Sequence, residues 1–69
     1  MPLTLLSKGE RRQICRVGGS AETRRFLESL GFVSGADVEI VNEIGGNMIV
    51  NIMSSRVAIN KDMAKHIQI

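Results

Sequence analysis

The stretch Ser20–Phe32, which reads SAETRRFLESLGF, decides the local structure around which the rest of the chain is arranged. Ser20 is a favourable N-cap because its hydroxyl can accept hydrogen bonds from backbone N–H groups one turn later. Four residues then recur at the spacing of one helical face: Thr23, Phe26, Leu27 and Leu30. Gly31 suits the left-handed residue that ends a helix, and Phe32 can then pack back onto Leu27. We therefore predict a helix over residues 20–31.

Short alternating segments flank this helix and predict β-strands. Before the helix, residues 13–17 alternate, and we expect Cys15 to be a small inward-facing residue of this strand. After it, three alternating segments are separated by turn signals at Gly45-Gly46-Asn47 and Ser54-Ser55. A short helical turn over 61–64 and a last strand follow.

Strands this short avoid open edges by curling into a barrel. We predict a mainly β fold with a short helix, namely a small SH3-like β-barrel whose helix is inserted after the first long strand. We expect residues 1–69 to form a single domain.

Composition places the chain among small globular proteins of the cytosol. It has 69 residues, of which 43% are hydrophobic, enough for a packed core. The N-terminus lacks the charged start and apolar run of a signal peptide, and no apolar run approaches the ~20 residues of a membrane helix. The single cysteine, Cys15, excludes an internal disulfide. These features together favour a cytoplasmic location.

The charge is unevenly distributed along the chain. Residues 1–25 hold six basic and two acidic side chains, a net charge of +4, whereas residues 26–69 have a net charge of −2. Such asymmetry can mark a face for an acidic partner, a nucleic acid or an anionic lipid. An ordinary solvated surface also explains it, and both interpretations stay open at this point.

Catalytic and metal-binding chemistry is sparse. His66 is the only histidine, and we expect it to be exposed because it shares a strand face with Gln68. One cysteine and one histidine cannot supply the three or four ligands of a transition-metal site, and the four methionines are more typical of core filling. Single-strand nucleic-acid binders stack bases on aromatic side chains, but both phenylalanines are already assigned to packing. We therefore expect neither catalysis, nor a metal site, nor nucleic-acid binding.

The run RRFLESLGFVSG, residues 24–35, resembles the helix-and-turn signature of the FeoA family, ferrous iron transport protein A. The opening residues Leu3, Leu6 and Gly9 are similar to the start of that family, and Ala64 with Ile67 is similar to its end. Two positions depart from it. Residues 44–48 lack the prolines and the acid of the family's turn, and Asn60 stands where the family often has arginine.

The resemblance implies an SH3-like barrel that acts as a small cytosolic accessory of FeoB, the membrane protein that carries Fe²⁺ inward. It reaches the membrane only through this partner, and association with Fe²⁺ is implied by the family alone. A docking surface is expected at five residues: Arg24, Arg25, Ile44, Asn47 and Met48. The alternative is a transition-metal-binding regulatory module like the C-terminal domain of iron-dependent repressors.

Overall fold

The computed structural model describes all residues, 1–69, as six short β-strands, two α-helices and one turn of 3-10 helix. The 3-10 turn covers Leu3–Leu5 near the N-terminus. The remaining elements follow in this order: β1 (Arg11–Gln13), β2 (Arg16–Val17), α1 (Ala21–Ser29), β3 (Asp37–Ile44), β4 (Asn47–Ile52), β5 (Ser55–Asn60), α2 (Lys61–Ala64) and β6 (Ile67–Gln68). This order confirms the predicted mainly β architecture with one short helix between the first strands and the antiparallel meander.

Helix α1 begins and ends as its sequence predicts. The Ser20 hydroxyl accepts a hydrogen bond from the Thr23 N–H at 3.1 Å. At the other end, Phe32 N–H donates to the Leu27 carbonyl at 3.1 Å, and Gly31 N–H donates to the Glu28 carbonyl at 3.0 Å. These two bonds form a Schellman motif, which satisfies carbonyls that the helix leaves unpaired. Leu27 and Phe32 are both completely buried.

One residue of the predicted apolar stripe does not face the core. Phe26 is 49% exposed, so the prediction that both phenylalanines pack inside is wrong for this one. In a helix of only nine residues the buried face is narrow, and Leu27 fills it. Phe26 lies about 100° around the axis from Leu27, which is enough to turn its ring toward solvent.

Strands β1, β3, β4 and β5 form an antiparallel sheet in the order β1-β3-β4-β5, and β2 pairs with β6 in a separate two-stranded ribbon. Two-residue turns connect β3 to β4 at Gly45-Gly46, as predicted, and β4 to β5 at Met53-Ser54, one residue earlier than predicted. Met53 and Ser54 have φ values of +49° and +63°. This is the left-handed geometry that a two-residue hairpin turn requires.

The predicted strand over 13–17 is divided between the two sheets. Ile14 N–H still donates to the Ala36 carbonyl beside β3, but Cys15 N–H donates to the Gln68 carbonyl beside β6. Where the chain leaves one sheet for the other, Ile14 is buried and Cys15 is exposed. The prediction that Cys15 is a core residue is therefore wrong, because the alternation was counted through a break in the strand.

The thirteen buried residues are all hydrophobic and form one continuous core between the sheets and the helices. Leu3 and Leu6 from the N-terminal segment belong to this core, as do Ala64 and Ile67 near the C-terminus. Both chain ends are thus held by the same core, and the Ile69 N–H donates to the Met1 carbonyl at 2.8 Å. The Asn60 side chain caps α2, because its Oδ1 accepts from the Met63 N–H at 2.8 Å.

Candidate functional site

The turn between β3 and β4 forms a projecting surface, here called the hairpin tip and defined as residues 44–47. Ile44 is 60% exposed at the tip, and Asn47 is also exposed. The tip is supported from α2, since the Gly46 carbonyl accepts from the Lys61 N–H at 3.0 Å. Lys61 Nζ also lies 2.7 Å from Glu43 Oε2. The result is an exposed aliphatic side chain on a turn that is held in place by a neighbouring helix.

Met48, which the sequence placed on the same docking surface, lies elsewhere. Its side chain is completely buried. In a strand, successive side chains point to opposite faces, so the exposed Asn47 is followed by an inward-facing residue. Met48 accordingly packs in the core with Val50 and Ile52 of the same strand, and it is removed from the candidate surface.

Arg24 and Arg25 lie on the exposed side of α1. With Ala21 and Glu28 they line a shallow depression of about 320 Å³. Neither guanidinium group has a carboxylate within 4.0 Å, since the three ion pairs of the chain are formed by other residues. Both arginines are therefore free to contact an acidic group from outside the chain.

The hairpin tip and the α1 arginines form two separate surfaces. The tip contacts α2, whereas the segment that follows α1 lies against the β4–β5 turn, where a Cβ added to Gly31 would meet Met53 Cγ at 2.8 Å. The tip and the β4–β5 turn are the two ends of β4, a strand of six residues. At about 3.3 Å per residue they are about 17 Å apart. The tip and the segment that follows α1 therefore lie at opposite ends of β4.

A third polar feature crosses the outer face of the four-stranded sheet. The register aligns four side chains, one from each strand: Arg11, Glu39, Asn51 and Arg56. Arg11 Nη2 lies 3.7 Å from Glu39 Oε1, and the Asn51 amide donates to the same oxygen at 3.2 Å. Arg56 Nε donates weakly to Asn51 Oδ1 at 3.5 Å. With Asp37, Met53 and Ser54, three of these side chains line a concavity of about 530 Å³.

The alternation of β3 shows that Asp37 and Glu39 share one face of the strand, but it does not reveal this row. Alternation within one segment predicts which way a side chain points. It does not predict which residue of the next strand lies beside it, because that depends on the register. The bulge between Ile40 and Asn42 also shifts the pairing of β3 and β4 within the strand.

The donor atoms on which metal binding depends are not brought together. No group of three or more histidine, cysteine, aspartate or glutamate side chains could hold a metal ion. Cys15 is exposed, whereas His66 is half-buried, not exposed as predicted, because its ring lies against Gly19. His66 pairs with Gly18 across the β2–β6 ribbon, three residues from Cys15, or about 10 Å. These residues do not fit the transition-metal site that the family resemblance implies.

The helices are each too short to span a lipid bilayer. The longest, α1, has nine residues.

Solved structures of known proteins share this fold. The chain is 30% identical to iron(II) transport protein A from Clostridium thermocellum, with a TM-score of 0.92 over 99% of this chain and 43% of that one. It is 26% identical to Stenotrophomonas maltophilia FeoA, a procaryotic SH3 domain protein whose crystal structure contains zinc, with a TM-score of 0.85 over 97% and 86% of the two chains. The predicted SH3-like fold is thereby confirmed.

A manganese-dependent transcriptional repressor has a TM-score of 0.86 over 97% of this chain and 39% of its own, but it is only 20% identical, so this likeness concerns the fold alone. No curated protein sequence matches the chain. The family model of the FeoA domain matches residues 1–69, the whole of the chain. The resemblance first found at residues 24–35 thus extends over the complete sequence, and the chain belongs to the FeoA family, which has a role in ferrous iron transport.

Proposed function

We propose that this protein is a non-enzymatic accessory of ferrous iron uptake, which docks on the cytosolic part of a FeoB-type Fe²⁺ transporter and modulates it. The protein then acts in the cytoplasm and reaches the membrane only through the transporter. The match of the FeoA family model to the entire chain carries this proposal. Fe²⁺ is in this view the cargo of the partner and not a resident cofactor of the chain.

The hairpin tip is the first docking surface of this proposal. Protein interfaces are organised around a few apolar or aromatic side chains that lose all contact with water, surrounded by polar groups. Ile44 is a 60% exposed aliphatic side chain, and the exposed amide of Asn47 lies opposite it in the hairpin. Because Lys61 holds the turn from α2, little conformational entropy is lost when a partner covers it.

The α1 arginines are the second docking surface. A guanidinium group donates in a planar fork that matches a carboxylate, and Arg24 and Arg25 have no carboxylate partner within the chain. Ordinary solvation is the competing interpretation of two exposed arginines. Their effect on the association rate distinguishes the two, because exposed charges at the rim of an interface act mainly by steering the encounter.

No specific observation favours the alternative, a metal-sensing module of the repressor type. The likeness to repressor domains concerns the fold, and the donor atoms do not form a metal site. Calorimetric titration with Fe²⁺ or Co²⁺ under reducing conditions tests this alternative directly. Tight stoichiometric binding would favour sensing over docking.

The docking proposal is tested by titrating the protein against the full-length FeoB-type transporter of the same organism in nanodiscs. We expect binding at micromolar concentration or below. Ile44→Ser should weaken the affinity roughly tenfold, as for a residue at the centre of an interface. Leu5→Ser is the matched control, because Leu5 is an equally exposed leucine, 64%, outside the proposed surfaces. It should leave the affinity unchanged.

For the second surface, the double variant Arg24→Glu/Arg25→Glu should slow association, and the effect should shrink at high ionic strength. Lys8→Glu, which reverses an exposed charge elsewhere, controls for the change in net charge. If the folded wild-type protein does not bind the transporter at micromolar concentration, the proposed function is wrong. If it binds and all these variants bind equally, docking uses another surface.

A further inference from the structure

Strand β5 lies at one edge of the four-stranded sheet and pairs with β4 along its whole length of six residues. An edge strand presents backbone N–H and C=O groups that have no partner, and such edges can accept an additional strand. The opposite edge, β1, has only three residues and begins with Arg11 and Arg12. The β5 edge is therefore the longer of the two.

The alternation of hydrogen-bonded and non-hydrogen-bonded pairs between β4 and β5 shows which backbone groups of β5 point away from the sheet. Lys61 N–H donates to the Gly46 carbonyl at 3.0 Å, and the register continues with Asn47 opposite Asn60. In an antiparallel pair, hydrogen-bonded and non-hydrogen-bonded pairs alternate. Residues 55, 57 and 59 therefore bond to β4, whereas Arg56 and Ala58 direct their N–H and C=O groups outward. No backbone hydrogen bond from outside the β4–β5 ladder reaches either residue.

Side chains leave this edge accessible from the outer face of the sheet. Arg56 and Ala58 are exposed, whereas Val57 is half-buried and Ile59 is buried on the inner face. A methyl group at Ala58 leaves room for a neighbouring strand. Natural edges are often blocked by proline, by a bulge or by several charges. Here the outer face of the edge carries one charge, Arg56.

Arg56 supplies a charge preference for whatever pairs with this edge. No carboxylate lies within 4.0 Å of its guanidinium group. Its Nε donates to the neutral amide oxygen of Asn51 at 3.5 Å. In an added strand, the residue opposite Arg56 would lie close to it on the same face of the sheet. An acidic residue at that position gains an ion pair that the chain itself does not provide.

We infer that the β5 edge receives an extended, acidic segment of the docking partner as a fifth strand of the sheet. The outward N–H and C=O groups of Arg56 and Ala58 bond to the backbone of that segment, and an acidic side chain of the segment pairs with Arg56. This inference rests on the proposed function, since it names the kind of transporter segment that docks. It adds a surface distinct from the hairpin tip and the α1 arginines.

Hydrogen exchange of the protein, read by mass spectrometry with residue-resolving fragmentation, tests the inference. In the free protein the Arg56 and Ala58 amides should exchange fast and the Val57 and Ile59 amides slowly, because only the latter bond to β4. With excess transporter in nanodiscs, the Arg56 and Ala58 amides should slow roughly tenfold or more. A partner that uses only the tip and the arginines would leave them unchanged.

Variants separate backbone pairing from charge. Ala58→Pro removes an N–H that points away from β4, a position that tolerates proline at a sheet edge, and should weaken transporter binding roughly tenfold. Ala58→Ser keeps the N–H at similar size and should bind as wild type. Arg56→Glu should weaken binding by a similar factor at low salt and by less at high salt. Because Arg56 is exposed, this variant remains informative if Ala58→Pro does not fold.

Each result has a defined meaning. If the transporter binds but the Arg56 and Ala58 amides stay unprotected and Ala58→Pro binds as wild type, the edge inference is overturned and docking stands. If the folded protein does not bind the transporter, both are overturned. If the two amides become protected without transporter as protein concentration rises, a second copy of the chain covers the edge, which also overturns the inference.

Discussion

Gly31, the second residue after the end of helix α1, provides the sharpest test of how this fold is held together. Its φ is +107°, outside the left-handed region that residues with a side chain can occupy. A Cβ added there would lie 2.8 Å from Met53 Cγ and 3.3 Å from Met53 Cβ. Gly31→Ala therefore combines backbone strain with a collision against the β4–β5 turn.

The expected magnitude follows from three terms. Holding a non-glycine residue in a disfavoured backbone region costs about 1–3 kcal/mol. Moving the Met53 side chain off its preferred rotamer costs about 0.5–1.5 kcal/mol. Alanine has fewer conformations than glycine in the unfolded chain, which offsets about 0.4–1 kcal/mol of this destabilisation. We expect Gly31→Ala to lower the free energy of unfolding by about 2 kcal/mol.

Gly35→Ala is the matched control for this substitution. Gly35 has φ +89°, but nothing lies within 4 Å of an added Cβ, so alanine there carries the strain without the collision. For a chain of this size, 1 kcal/mol corresponds to about 4–8 °C in Tm. Thermal and urea unfolding followed by circular dichroism should show the larger loss for Gly31→Ala. In the Met53→Ala background the two losses should converge.

Two results would refute this reasoning. If Gly35→Ala leaves the Tm unchanged, positive φ is not a significant cost in this fold. If Gly31→Ala loses no more stability than Gly35→Ala, then the Met53 side chain moves away from the added methyl group at no measurable cost. Its contact then does not fix the end of α1 against the sheet.

Two further predictions concern local geometry. Ser20→Ala removes the N-cap bond to the Thr23 N–H and should cost about 1 kcal/mol in urea unfolding; Ser20→Asn, which keeps a capping oxygen, should cost far less, and equal losses would contradict the capping role. Ser54→Gly relieves a φ of +63° in the β4–β5 turn and should raise the free energy of unfolding by up to about 1 kcal/mol. Ser54→Ala is its control, because alanine keeps a Cβ and therefore the backbone strain at this positive φ. A loss of stability in Ser54→Gly would argue against strain at this turn.

The sequence correctly predicted the helix caps and the β3–β4 turn, which depend on interactions between residues close together in the chain. The cap at Ser20, the Schellman ending at Gly31 and Phe32, and the turn at Gly45-Gly46 all form as the sequence indicates. Each depends on hydrogen bonds or backbone conformations within about six residues. The same stretch also carried the family resemblance that the whole-chain match confirms.

Errors arose where a side chain's environment depends on distant parts of the chain. Phe26 is exposed because Leu27 fills the narrow face that α1 turns to the core. Cys15 is exposed because the chain passes from one sheet to the other at that residue, and its N–H donates to the Gln68 carbonyl, 53 positions later in sequence. Met48 is a different case, because the alternation within β4 itself turns it inward together with Val50 and Ile52.

The sequence by itself determined the helix, its caps, the turn at Gly45-Gly46 and the family of this protein, because these depend on short-range spacing of residue types. Only the tertiary structure decided that the predicted docking residues lie on separate surfaces, and that four side chains form one row across the sheet. It alone also showed which backbone groups of β5 remain unpaired. These properties depend on strand register and sheet order, which are set by the packing of the whole core and not by any one segment.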